Sequence, residues 1–203
     1  MGVPLALGRF VVVDLETSGL RADRDRLIAI GAVAVRARSI RHDDCFERIL
    51  RQPAPSGTDN ILVHRIGGQA QLAGDPPAGA LVDFLEYVGD SLMLAFRAEF
   101  DAAFLRREWA SLLGFVPPMH MVDFAALLPA LFPGTDCHTL DDWAGLLGVT
   151  GGNRHQAVDD AYQTAAMLLV VIERATRLGL QSTADLLGIE RAHAWLGSQH
   201  FRA

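Results

Sequence analysis

Phe10-Val-Val-Val-Asp14-Leu-Glu16-Thr-Ser-Gly19 is the stretch on which the reading of the whole chain turns. Its four leading apolar residues, three of them β-branched, read as a buried strand that stops at a turn glycine. Side chains on a strand alternate faces with a period of two, so Asp14 and Glu16 point the same way. Two like charges side by side at the end of a buried strand repel each other and lose solvation. A divalent cation would compensate them. In the plainer reading, one carboxylate forms the turn and the other is solvated.

Outward from this strand, a charged turn from Arg21 to Arg26 leads into a second apolar strand, Leu27 to Val35, close enough for antiparallel pairing. A third strand is expected around Cys45 to Leu50, ended by Pro53 and Pro55. Arg36, Arg38 and Arg41 read as a solvated strand edge, where charge discourages aggregation. Thr58 to Ile66 reads as a short helix started by Thr58 or Asp59 and broken at Gly67-Gly68, and Ala80 to Val88 as another helix. Ser91 to Phe96 is a short strand and Phe100 to Leu113 an amphipathic helix with Arg106, Arg107 and Glu108 outward. Met119 to Val122 reads as a strand, Asp123 as the cap of a helix reaching Phe132, and Thr139 to Leu147 as a helix ending at Gly148. A long helix from Ala157 to Leu178 and a last one from Thr183 to Leu196 complete the chain. Three strands followed by strands alternating with helices indicate an α/β domain with a mixed central sheet. The expected division is a main domain over 1–178 and a helical extension of it over 179–203.

At 203 residues and 50% hydrophobic, the chain can bury one sizeable core. A net charge of −6 argues against wrapping long duplex nucleic acid, though not against gripping a short end. All 18 basic residues are arginine, which removes Schiff-base and P-loop lysine chemistry. Cys45 and Cys137 lack CxxC spacing and fit buried thiols in a reducing compartment. Met1 to Val13 has neither a basic leader nor a small-residue cleavage site, and no apolar run is long enough to span a bilayer. A soluble, cytoplasmic protein without membrane partners is expected.

Two further sites answer the opening pair. Asp101 falls just inside the helix after strand 91–96, where a capping role would also explain it. In His155-Gln-Ala-Val-Asp-Asp160, helix phase puts Asp159 on the wet side with Gln163, Glu173 and Arg177. Asp160 lies inward with Ala161, Leu168 and Ile172, and an inward aspartate needs a partner.

Val13-Asp-Leu-Glu-Thr-Ser-Gly-Leu20, Phe100-Asp-Ala-Ala-Phe-Leu105 and His155-Gln-Ala-Val-Asp-Asp-Ala161 resemble the three motifs of the DEDD 3′→5′ exonucleases, a family that includes the proofreading epsilon subunit of bacterial DNA polymerase III. A histidine five residues before the last aspartate resembles the histidine-containing branch. Arg26-Leu-Ile-Ala-Ile-Gly31, Val63-His-Arg-Ile66 and His138-Thr-Leu-Asp-Asp142 add to the likeness, which covers about residues 9–175.

The resemblance implies an RNase H-like fold with a five-stranded mixed sheet flanked by helices. It implies that Asp14, Glu16, Asp101 and Asp160 hold two Mg²⁺ or Mn²⁺ ions, a choice that suits carboxylate ligands. His155 would be the general base, with an unperturbed pKa of about 6.5 that lets it accept a proton at neutral pH. Thr17 and Leu20 would seat the terminal nucleotide, and Asp59 and His64 match positions near its 3′-hydroxyl, although Asp59 also reads as a helix cap. The implied partners are single-stranded 3′ ends of DNA, with RNA as the alternative substrate, and a DNA polymerase. A non-catalytic nucleic-acid-binding module is the competing class, since fold alone never proves activity. Where the family has His-Asn-Ala before the residue matching Asp101, this chain has Phe96-Arg97-Ala98. Arg97 would then contact a substrate phosphate or Phe96 stack on a base, or both would pack or pair with Glu99.

Overall fold

Five strands build one sheet: β1 (Arg9–Thr17), β2 (Leu27–Arg36), β3 (Ser39–Ile49), β4 (Leu92–Ala95) and β5 (Met121–Asp123). The structure is a computed structural model that describes residues 2–149 and 157–200, with side chains as far as Ala192. The strand order is β3-β2-β1-β4-β5. β1, β2 and β3 form an antiparallel meander, and β4 and β5 run parallel to β1. This is the mixed five-stranded sheet expected. β1 and β2 are apolar on both faces because both are covered.

The period of two divides the core. Phe10, Val12, Val33, Val35 and Leu94 face α5 (Phe124–Leu131), α6 (Leu140–Leu146) and α7 (Ala157–Arg177). Val11, Val13, Leu15, Ile30 and Ala32 face α3 (Pro77–Val88) and α4 (Ala98–Glu108). Asp14 and Glu16 continue the Phe10–Val12 face, so the sheet aims them towards α7. The last helix, α8 (Thr183–His200), joins the same core: Leu186 is buried in it, and the Asp123 N–H donates to Glu190 Oε1 at 2.9 Å. Among the described residues, no helix is long and apolar enough to cross a membrane.

Several local expectations are corrected. β3 starts six residues before Cys45, because β2 and β3 join through a two-residue turn at Ala37 and Arg38, with φ of 50° and 59°. Neither residue announces such a turn, which Gly or Asn usually supplies. His42, Asp43 and Asp44 bulge out between the pairs Ala34–Arg41 and Val33–Cys45, and Cys45 is exposed rather than buried. Helix α1 (Thr58–His64) is capped by Gly57, and a further short helix, α2 (Gly68–Ala73), follows where a break was expected. α4 passes into a π-helical turn, Trp109–Leu113, which leaves Leu112 exposed. Arg107 and Glu108 are partly buried and paired rather than solvated. Gln163 is buried, because α7 meets the sheet and also α5 and α6.

One polar clamp holds the bulge. Arg9 donates in a fork to Asp44, Nε to Oδ2 at 3.0 Å and Nη2 to Oδ1 at 2.8 Å, while its Nη1 reaches the Tyr87 carbonyl and Ser91 Oγ. Tyr87 Oη closes the clamp on the Asp44 carbonyl at 2.9 Å. The hydrogen bonds from Arg9 hold the Asp44 carboxyl below the usual carboxylate range. A depressed folded-state pKa contributes stability above the ordinary unfolded value and loses it as pH falls through the folded one. Asp44→Asn is therefore expected to destabilise the protein at pH 7 by about 1 kcal/mol, a charge-assisted fork discounted for partial exposure. Urea unfolding of both proteins should show that difference vanish at a pH below the folded-state value. A difference that persists there would place the effect outside the ion pair.

Candidate active site

The C-terminal end of β1 meets the start of α7. Asp14, Glu16 and Asp160 each offer a carboxylate oxygen, and these oxygens lie within 4.8 Å of one another. Asp160 is 7% exposed and Glu16 9%. What brings α7 so near is Gly31, which pairs with Asp14 across β1 and β2. A Cβ on Gly31 would fall 2.3 Å from the Ala157 carbonyl carbon and the Val158 nitrogen. The helix backbone rests on the bare glycine, three residues before Asp160.

Asp101, in the first turn of α4, stands beside this cluster and is 4% exposed. Burial pushes its carboxyl well above the usual range, and the charges of Asp123 and Glu16 push the same way. Backbone hydrogen bonds at Asp101 and Leu15 oppose them and tie Asp101 to the residue between Asp14 and Glu16.

The rim beyond β1 is a braced loop. Register shifts between Glu16 and Thr17, a bulge of the kind common beside active sites. Thr17 Oγ1 donates to the Gly19 carbonyl at 2.8 Å, and the Arg26 N–H to Ser18 Oγ at 2.8 Å. Asp25 Oδ2 accepts from the Arg21 N–H at 2.8 Å and packs so closely that a Cβ on Gly19 would stand 2.4 Å away. Arg107 on α4 reaches the Ala22 carbonyl from the other side. Leu20 projects from this loop, 84% exposed.

Helix α1 grips the same loop from below. Asn60 Nδ2 donates to the Thr17 carbonyl at 2.8 Å. His64 Nδ1 accepts from the Ile66 N–H at 2.9 Å, which leaves its proton on Nε2, 2.9 Å from Asn60 Oδ1 and 3.2 Å from Ser56 Oγ. His64 is 1% exposed, and burial lowers its pKa. It thus supports Asn60, which holds Thr17. Asp59 is exposed in the first turn of α1. His155 lies outside the described residues. Asn60 escaped the sequence reading although its spacing of four from His64 on a helix was a usable signal. Gly31 was quoted only as part of a motif.

The exonuclease family described as RNase T matches residues 11–168 of the chain. The chain belongs to this exonuclease family. Among its relatives, a PolC-type DNA polymerase III of Caldanaerobacter subterraneus subsp. tengcongensis is 29% identical over 181 residues, which cover 88% of this chain and 13% of the polymerase. The 3′-5′ exonuclease DinG of Staphylococcus aureus is 25% identical over 191 residues, covering 90% of this chain and 20% of that protein. The chain thus spans a small part of either relative. The fold is similar to that of E. coli exonuclease I in complex with a dT13 oligonucleotide, with a TM-score of 0.71, 20% identity, and coverage of 84% of this chain and 42% of that one.

Membership of the exonuclease family implies a divalent metal, and the residues present fit one. The donors are carboxylate oxygens, the hard ligands that hard divalent cations take. They converge at a buried strand end where their mutual repulsion and lost solvation favour a bound cation.

Proposed function

We propose that the chain is a metal-dependent 3′→5′ exonuclease that removes nucleotides from single-stranded DNA ends as nucleoside 5′-monophosphates. The observation that carries this reading is the convergence of Asp14, Glu16 and Asp160 within 4.8 Å, in a chain of the exonuclease family. Asp101 completes the acidic set, and the four carboxylates hold two Mg²⁺ or Mn²⁺ ions. When bound, such a pair supplies stabilisation of charge on the attacking and leaving oxygens of a phosphodiester.

The chain's own groups do the rest. His155, five residues before Asp160 in sequence, takes the proton of the attacking water as general base. Thr17 and Leu20 receive the terminal nucleotide: the loop that carries them is braced by Asn60, Ser18 and Arg107, and Leu20 offers an exposed apolar surface to a base. Asp59, exposed on α1, contacts the terminal sugar near its 3′-hydroxyl, and His64 acts by keeping Asn60 in place. Residues 1–178 form the exonuclease domain and 179–203 an extension of it, a division supported by the packing of Leu186 in the shared core. A DNA polymerase is the partner proposed, since PolC-type polymerases carry the matching region.

The test is digestion of a 5′-labelled (dT)10 and its RNA counterpart with Mg²⁺, Mn²⁺ or EDTA. The expected result is a ladder shortening from the 3′ end, release of thymidine 5′-monophosphate, slower loss of RNA, and no reaction in EDTA. Cleavage from the 5′ end, or none with either cation, would sink the reading.

A further inference from the structure

Arg97 occupies the residue between β4 and α4 with φ 62° and ψ 54°, a left-handed conformation that strains any residue carrying a Cβ. The strain is held in place: the Arg97 N–H donates to Asp123 Oδ1 at 3.2 Å, an oxygen that also accepts from the Ala125 N–H at 2.9 Å. Every residue but proline could make that backbone contact, and Gly or Asn would make it with less strain. What the arginine adds is its side chain. Its guanidinium is exposed and reaches a neutral acceptor, the His138 carbonyl, at 3.3 Å through Nη2. Among the described residues it forms no ion pair, whereas Arg9 and Arg107 nearer the core are matched to Asp44 and Glu108. Nη2 carries two hydrogens and the His138 carbonyl takes one, so one fork of the guanidinium, Nε with Nη2 or Nη1 with Nη2, remains available.

The fork stands at the end of the sheet where the carboxylates converge. β4 lies parallel to β1 with Leu94 opposite Val12; two residues further along are Phe96 and Asp14, and Arg97 comes next. Open α/β sheets bind ligands beyond the carboxyl ends of their strands, and β1 and β4 both end here. Phe96 is otherwise engaged, packed half-buried against the core under α5 and α7. Positive φ by itself carries nothing, since Ala37 and Arg38 share it in the hairpin at the opposite end of β2. The place and the unmatched charge distinguish Arg97.

We propose that Arg97 grips a backbone phosphate of the bound single strand, upstream of the bond that is cut. The proposal rests on the exonuclease reading above. A planar guanidinium takes phosphate oxygens in pairs, and an exposed site lets successive phosphates pass through it. Arg97 is then a strand-binding residue, separate from the four carboxylates that surround the reacting bond.

The test compares (dT)10 with thymidine 5′-monophosphate p-nitrophenyl ester, which has no upstream phosphate. Arg97→Asn keeps a residue that tolerates the left-handed backbone, and Arg97→Lys keeps the charge. For Arg97→Asn the ratio of kcat/KM on (dT)10 to that on the ester should fall about tenfold, the loss of one charged phosphate contact. The slope of log KM for (dT)10 against log salt should drop by about 0.7, the value for one phosphate of a single strand. Arg97→Lys should recover most of the slope, and the melting temperature of Arg97→Asn should be equal to or above that of the wild type. An unchanged ratio and slope would overturn the proposal, and so would parallel losses on both substrates, which would mean that Arg97 acts through Asp123 and Asp101. Wild-type protein inert towards both substrates would instead bring down the exonuclease reading itself.

Discussion

Asp160→Asn is expected to reduce turnover of single-stranded DNA at least about a thousandfold, the equivalent of losing roughly 4 kcal/mol of transition-state stabilisation. Asp160 supplies one of the three converging carboxylates, and its amide would have the same shape without the charge. The fold should tolerate the change. Asp160 lies in the first turn of α7, where a negative charge is favoured by the helix N-terminus by about 0.3–1 kcal/mol. Removing it also relieves repulsion from Asp14 and Glu16, so the two effects oppose each other. The melting temperature of the metal-free variant should stay within a few degrees of the wild type. Calorimetric titration with Mn²⁺ should show weakened binding, a readout independent of turnover. Turnover within tenfold of wild type, with metal binding intact, would remove Asp160 from the metal centre.

Gly31→Val should cost about 2–4 kcal/mol of stability and most of the activity together. A Cβ at that position would meet the backbone of Ala157 and Val158 at 2.3 Å, and backbone cannot swing aside as a side chain can. The first turn of α7 would have to lift off the sheet, carrying Asp160 away from Asp14. Misplacing a catalytic group by about 1 Å can lower a rate by two orders of magnitude. Gly31→Ala should give a smaller loss of the same sign. Adding Ala157→Gly to it should not restore stability, because the obstacle is the helix main chain and not only the Ala157 Cβ at 2.7 Å. Urea unfolding and single-turnover assays measure both effects. A Gly31→Val protein within 0.5 kcal/mol of wild type, an ordinary surface effect, would show that the close approach is not needed.

Much of the site could be read from single elements. Two carboxylates two apart on a strand must share a face, and Asp14 and Glu16 do so beside α7. Helix phase alone turned Asp160 inward, and it is buried. The same reasoning failed at Gln163, because phase says which residues share a stripe but not how many neighbours cover the helix. It also failed at the β2–β3 hairpin, where Ala37 and Arg38 adopt a turn that their side chains do not favour. There the long antiparallel pairing of β2 with β3 imposes the backbone.

By itself, the sequence determined the strand that carries Asp14 and Glu16, the mixed sheet around it, and the direction in which Asp160 points. Those features follow from periods of two and 3.6 residues, which are local and therefore written along the chain. Only the tertiary structure decided that Gly31 is the seat of α7, that His64 supports Asn60 and through it Thr17, and that Arg97 holds an unmatched charge in a strained backbone at the rim. Each depends on segments far apart in sequence being packed to within a few ångströms. No single element's periodicity encodes such a distance; close packing of the whole core sets it.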